Sequence, residues 1–216
     1  MTKPEHSGFQ DPADTWNSRF AHDDFLFGTA PNEWLREQAA VWPKNSRILS
    51  VADGEGRNSV WLAGQGHQVD AFDIAEVGVA KARKLAAAKG VGVNFTVADC
   101  NSFTWPNDAY DGIAAIFIQF AEPVLRQKMF ASMVRSLKPG GVLILQGYTP
   151  KQLEYKTGGP PVLSHLYTEE LLRSIFSNLD IEVMRSYEAD VQEGSGHRGL
   201  SALLGLVARK SFAPKG

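Results

Sequence analysis

Residues 112–118, Gly-Ile-Ala-Ala-Ile-Phe-Ile, form an uninterrupted apolar run in the middle of a 216-residue chain. The run is far too short to cross a membrane, and it has no alternating polar face, so it reads as a β-strand covered on both sides. A strand of that kind needs helices above and below its sheet, which is the doubly wound α/β arrangement. The surrounding sequence supplies the other layers. Residues 48–52, 68–73, 93–98 and 142–146 are further β-prone runs. Helices are predicted between them over residues 57–64 and 76–89, the second rich in Ala and Lys and stopped by Gly90. Phe130, Met133, Val134 and Leu137 fall at i, i+3, i+4 and i+7, a helical stripe closed by Lys138-Pro139-Gly140-Gly141. Leu171, Leu172, Ile175, Phe176 and Leu179 repeat that spacing. The last two β-like segments, 181–190 and 201–209, have no helix between them, so they pair antiparallel or sit apart. Ahead of the sheet, the first 27 residues are polar with scattered aromatics and no clean period. Pro31 and Asn32 then mark a helix start, and the helix runs to about Val41, ending before Pro43.

The length suits one α/β domain, with residues 1–45 as an N-terminal arm and helix and 46–212 as the α/β core. Lys and Arg number 22 against 24 Asp and Glu, a net charge of -2 that argues against a nucleic-acid surface as the main purpose. Lys81, Arg83, Lys84 and Lys89 are read as the wet face of a helix. The lone Cys100 cannot form an internal disulfide and reads as an apolar filler in a reducing compartment. The first ten residues lack the apolar stretch of a signal peptide, and no run is long enough to span a bilayer, so a cytoplasmic location is expected. His6, His22, His67 and His165 have no metal-ligand spacing, and no metal site is expected.

The chemistry concentrates at three strand ends. Asp53-Gly54-Glu55-Gly56 lies where the first strand hands over to a helix, and glycine there lets a ligand approach the backbone. In open α/β sheets ligands bind beyond the carboxyl ends of the strands, where strand order reverses. The next two strands each end in a carboxylate, Asp73 and Asp99. An acid after the second strand can accept both hydroxyls of a ribose, and one after the third can accept an exocyclic amine. The three together point to an adenosyl ligand. A nicotinamide reading needs Gly or Ala where Ser59 stands. It also lacks a Tyr-x-x-x-Lys pair at Tyr110, Tyr148, Tyr155, Tyr167 or Tyr187. A nicotinamide-dependent oxidoreductase and a non-catalytic adenosyl-binding protein therefore stand as the alternatives.

Residues 48–66, Asp73, Val97-Ala98-Asp99, Tyr110-Asp111 and Leu137-Lys138-Pro139-Gly140-Gly141-Val142-Leu143 resemble the successive motifs of class I S-adenosylmethionine-dependent methyltransferases. The glycine-rich stretch from Asp53 to Asn58, Phe27-Gly28-Thr29-Ala30-Pro31-Asn32 and the loop from Glu193 to Gly199 more narrowly resemble the branch related to tellurite-resistance and thiopurine methyltransferases. The resemblance runs from about Trp16 to Lys210. It implies a Rossmann-like, doubly wound, seven-stranded α/β sheet of order 3-2-1-4-5-7-6, mostly parallel with an antiparallel last strand and helices on both faces. It implies S-adenosylmethionine as cofactor, with the Gly54–Gly56 loop at the methionine part, Asp73 at the ribose, Asp99 with the Cys100 amide at adenine, and Asp53, Asn58 and Ile74 as further cofactor-binding residues. One position departs from the family: Ser50 stands where a carboxylate usually ends the first strand, and Asp53 is the nearest substitute.

Transfer of a methyl group from a sulfonium is an in-line displacement, so the protein has mainly to align the partners and exclude water. Phe117 to Phe120, past the fourth strand, are expected as a floor near the methyl group, with Trp16, Phe20 and Phe27 folding over as a lid. Glu193, His197 and Tyr148 are the candidate catalytic groups, and Arg198 can orient an anion. The expected acceptor is a small molecule, with no nucleic-acid or membrane partner and a monomeric or homodimeric chain.

Overall fold

Five parallel strands followed by an antiparallel pair make up the sheet in the computed structural model, which describes residues 11–212. The first ten residues, where no leader peptide is expected, lie outside the described residues. The chain enters through α1 (Pro12–Phe20) and α2 (Glu33–Gln38), the latter running on as a short 3-10 turn to Val41. There follow β1 (Arg47–Val51), α3 (Arg57–Gly64), β2 (Gln68–Asp73), α4 (Glu76–Lys89), β3 (Asn94–Val97) and β4 (Tyr110–Ile116). The second half holds α5 (Pro123–Ser136), β5 (Leu137–Tyr148), α6 (Gln152–Tyr155), α7 (Glu169–Ile175), β6 (Leu179–Glu193) and β7 (His197–Lys210). Strand order is β3-β2-β1-β4-β5-β7-β6. The first five strands run parallel, and β7 pairs antiparallel with both β5 and β6.

The core is two apolar layers, one on each face of this sheet. On one side Leu49, Val51, Ile113, Leu143, Leu145, Leu204 and Leu206 meet Phe130 and Met133 of α5 and Leu172 of α7. On the other Ile48, Ala114, Ile144 and Val207 meet Trp34, Leu35 and Trp42 from the entry segment and Leu62 of α3. Burial on both faces is why the central strands are apolar throughout rather than alternating. No helix among the described residues is long and apolar enough to cross a membrane.

Three local readings change. The segment before residue 27, read as aperiodic, contains α1, with Pro12 at its start and the Asp11 side chain accepting from Ala13 N at 2.8 Å. Its only buried residue is Phe20, so two turns carry too little stripe to register as a period. Lys138-Pro139-Gly140-Gly141 follows the end of α5 at Ser136 as expected, but the next strand starts earlier than 142: β5 begins at Leu137, and the extra residues form an irregularity opposite Tyr110 and Gly112 of β4. The final strands are longer than their β-prone cores, pairing from Leu179↔Lys210 to Glu193↔His197 around a tip at Gly194, Ser195 and Gly196.

Candidate active site

The order β2-β1-β4 makes chain direction diverge between β1 and β4, where a crevice opens beyond the strand ends. Both strands finish there in a left-handed conformation on a residue other than glycine, Ala52 at φ 48° and Phe117 at φ 55°. For a bulky side chain this is a strained geometry, held at β4 by the Phe117 amide donating to Gln146 O at 2.8 Å. The two turns direct the backbone away from the crevice and leave a cavity of about 300 Å³. Ala52 and Gly54 line it from β1, Phe72, Asp73 and Ile74 from β2, and Ala98, Asp99, Cys100 and Asn101 from β3. Ile116, Phe117 and Phe120 line it from β4, Arg57 and Asn58 from α3, Leu125 from α5 and His197 from β7. Pro12, Trp16, Phe20 and Phe27 form the roof.

The three strand-end motifs therefore converge. Asp73 is 7 % exposed and accepts from Gly54 N and from Ala75 N, both at 2.8 Å, which ties the glycine loop to the end of β2. Burial pushes its carboxyl up to about 6, against the amides of Ala75 and Gly54 that favour the charged form. Asp99 is the opposite case. It is half-buried and accepts from the Ser102 and Asn101 amides at 2.6 and 2.8 Å, and these hold its carboxyl below the usual range. The Cys100 thiol, its Sγ 3.3 Å from Met129 Sδ, is pushed up to about 12 by burial and is an unreactive wall of the cavity.

Asp53 and Gly56 do not line the cavity; they build the loop beneath it. The Asp53 carboxylate is enclosed by Ser50 Oγ at 2.6 Å, Ser59 Oγ at 2.5 Å and the Ser59 amide at 3.3 Å. Ser50 thus serves Asp53 and brings no charge to the ligand side. Gly56 sits at φ 88°, and a Cβ there would lie 2.6 Å from that of Ala82, so only glycine lets α3 pack on α4.

Trp16, Phe20 and Phe27 lie together over the crevice, Trp16 and Phe20 stacked at 5.4 Å and Phe27 at 6.3 Å from Phe20. Lys81 is the anchor of this roof and departs from its reading as part of a wet face. Its side chain is 13 % exposed, its Nζ donates to the carbonyls of His22 at 2.8 Å and Asp24 at 2.7 Å, and it pairs with the buried Glu55 at 2.5 Å. Glu55 in turn accepts from Leu26 N at 2.8 Å. Lys81 lies one helical turn from the buried Gly78, so the pattern concealed that this part of α4 faces the arm.

The candidate acceptor-side groups separate. His197 lines the cavity, between Phe27 and Phe117 at ring distances of 4.4 and 4.5 Å. Glu193 stands behind it, bonded to His197 Nδ1 (3.3 Å), Arg57 Nη2 (2.8 Å) and Asn32 Nδ2 (2.8 Å). Tyr148 is buried, stacks on Phe117 at 4.7 Å and does not reach the cavity, and Arg198 is exposed on the outer side of the hairpin. Sequence reasoning missed Arg57, Asn32 and Gln146. Asn32 caps α2 through Leu35 N and also donates to Gln146 Oε1 at 2.7 Å, while its own amide donates to Asn58 Oδ1. A capping signal was visible at Asn32; its second task, 114 residues away in sequence, was not.

Strand order and the crevice at its switch point define a Rossmann-like fold, with Asp73 and Asp99 converging on the crevice. Residues 48–141 match the family described as a methyltransferase domain. The chain is 34% identical to the demethylmenaquinone methyltransferase of Thermus thermophilus over 48% of each chain. It is 28% identical to the tRNA 5-carboxymethoxyuridine methyltransferase of Escherichia coli over 52% of this chain and 44% of that one. The chain thus spans about half the length of the curated relatives it matches. Among solved structures, the N-methyltransferase NodS of Bradyrhizobium japonicum in complex with S-adenosyl-l-homocysteine superposes with a TM-score of 0.68 at 15% identity, covering 92% of this chain and 97% of that one.

Proposed function

We propose that the protein is an S-adenosylmethionine-dependent methyltransferase that moves a methyl group to a small-molecule acceptor by in-line displacement. The observation that carries this reading is the convergence of Gly54, Asp73 and Asp99 on one apolar crevice at the β1–β4 switch point. The residues present fit the cofactor. Asp73 has lone pairs left after Gly54 and Ala75 for a ribose diol, and Asp99 keeps Oδ2 open for the exocyclic amine. Ile74, Ala98 and Leu125 offer flat apolar walls for a base, with Cys100 at the adenine end. Gly54 and Asn58 line the methionine end, while Asp53 and Gly56 fix the shape of that loop from beneath.

When bound, S-adenosylmethionine supplies an already activated methyl group on a sulfonium. The protein's own contribution is alignment and exclusion of water. Trp16, Phe20 and Phe27 act as the lid, and Phe117 with Phe120 as the floor; their ring faces favour a neighbouring cation. A small acceptor is supported by the roof that Pro12, Trp16, Phe20 and Phe27 place over the crevice. A cytoplasmic site of action fits the single free thiol. The narrower kinship with the tellurite-resistance and thiopurine branch rests on the arm and hairpin motifs, both of which contact the cavity.

Calorimetry of the full chain with S-adenosylmethionine and with S-adenosylhomocysteine tests the cofactor, with NADH as the competing ligand. Saturable heat with the two sulfur ligands and none with NADH is the expected result. An acceptor panel with methyl-labelled donor, read by mass, then identifies the product. Heat with NADH alone overturns the reading.

A further inference from the structure

His197 begins β7 and is 8 % exposed, its ring held between Phe27 and Phe117. Only Nδ1 has a protein partner among the described residues, Glu193 Oε2 at 3.3 Å. Glu193 is a charged acceptor there. Burial works to raise its carboxyl, but the hydrogen bond from His197 and the charge and hydrogen bonding of Arg57 outweigh it and hold the group down to about 2. A carboxylate can only accept, so a neutral His197 carries its proton on Nδ1 and its free lone pair on Nε2. Since His197 lines the cavity, that lone pair is the basic site available to an acceptor.

The charged and titratable groups around the ring are Glu193 from β6, Arg57 from α3, Arg19 from α1 and Tyr148 from β5. Burial is the largest influence on His197 and lowers its pKa; Glu193 opposes that, and Arg57 and Arg19 add to it. The ring is therefore neutral at physiological pH, with a tautomer set by Glu193. Glu193 is in turn fixed by Arg57 and Asn32, and Asn32 by Gln146.

We propose that His197 Nε2 is the catalytic base for a hydroxyl on an aromatic ring, with Glu193, Arg57 and Asn32 as its positioning residues. This deepens the methyltransferase reading and rests on it. As the acceptor oxygen forms its bond to the methyl carbon, the carbon–sulfur bond breaks and its electron pair returns to sulfur as a neutral thioether. The hydroxyl proton passes to Nε2, and the imidazolium later releases it to water. The chemistry of the site selects among nucleophiles. A weak base matches a phenolic hydroxyl, which titrates near about 10, better than an aliphatic alcohol. A thiol ionises readily on its own, and an ammonium is repelled by Arg57, Arg19 and the sulfonium. Phe27, Phe117 and Phe120 line the cavity and give it apolar surface for an aromatic acceptor.

The test uses the full chain, labelled with 15N at histidine, saturated with S-adenosylhomocysteine and titrated with phenol or with anisole, its methylated counterpart. The expected spectrum of His197 has Nδ1 protonated and Nε2 bare at pH 7, with phenol shifting Nε2 and anisole leaving it in place. Phenol is expected to bind about ten-fold more tightly than anisole, the scale of one hydrogen bond to a buried acceptor. Glu193→Gln is expected to mix the two tautomers without loss of S-adenosylhomocysteine binding, and His197→Leu to erase the phenol preference. A proton found on Nε2, or equal binding of phenol and anisole, overturns the proposal while leaving the cofactor reading intact. Absence of heat with S-adenosylhomocysteine alone overturns the cofactor reading instead.

Discussion

Asp73 is a carboxylate whose environment works against its charge, and in the ribose role proposed for it this is expected to make cofactor binding depend on pH. Its pKa is pushed up to about 6, so the free protein protonates it as the pH falls through that value. A ribose diol donates to the ionised form, so binding releases a proton and affinity rises with pH to a plateau near 7. At pH 5 the affinity for S-adenosylhomocysteine is expected to be about ten-fold below that plateau. Asp73→Asn removes the pH dependence and lowers affinity by about ten- to a hundred-fold, the loss of hydrogen bonds to a charged acceptor. Calorimetry from pH 5 to 8 reads both effects. At this scale the sequence reveals which residues lie at strand ends but not which way they point. Asp53 and Asp73 both looked like ligand groups, and only Asp73 faces the cavity. The reason is Ser50 and Ser59, whose hydroxyls are near in space and unremarkable in the sequence.

The arm illustrates how an element is held by a few polar contacts rather than by a broad apolar face. Lys81 joins the carbonyls of His22 and Asp24 to the Glu55 carboxylate, of which 3 % of the side chain is exposed. Lys81→Met leaves that carboxylate buried without its cation, a change expected to cost about 3–5 kcal/mol. Urea unfolding measures the loss, and limited proteolysis is expected to cut between α1 and α2 earlier than in the wild type. Adding Glu55→Gln recovers part of the stability, because no uncompensated charge then remains. The hairpin at the other edge clasps the same segment: Gly196 N donates to Leu26 O at 2.9 Å. At Gly194, φ 64°, a Cβ would collide with that carbonyl, so any larger residue forces arm and hairpin apart. Helix α2 was legible from Asn32, whereas α1 and the true length of the hairpin strands were not. Their stability comes from contacts with partners far along the chain, which local periodicity does not report.

For the molecule as a whole, β7 is the keystone, since it is last in the chain and pairs on both sides. Leu204 and Leu206 are fully buried in the larger core layer, in one cluster with residues of β1, β2, β4, β5 and β6. Leu206→Ala is expected to destabilise the fold by about 2–5 kcal/mol in urea titrations, the combined cost of lost burial and the cavity left behind. Binding of S-adenosylhomocysteine by the variant that remains folded should change little, because β7 touches the crevice only through His197. The sheet order was implied by family resemblance, and the two helix-free final segments were compatible with it. What composition and spacing alone established was a doubly wound core. The insertion of β7 between β5 and β6 has no local signature, because β-propensity does not say which neighbour a strand will choose.

The hairpin tip and arm have one more consequence, for inheritance. Residues 48–141, which match the methyltransferase-domain family, hold the strand ends proposed to bind the donor, while His197, Glu193, Asn32 and Phe27 all lie outside them. On the proposed roles, changes confined to those two peripheral segments are expected to alter what receives the carbon unit more than how its source is held.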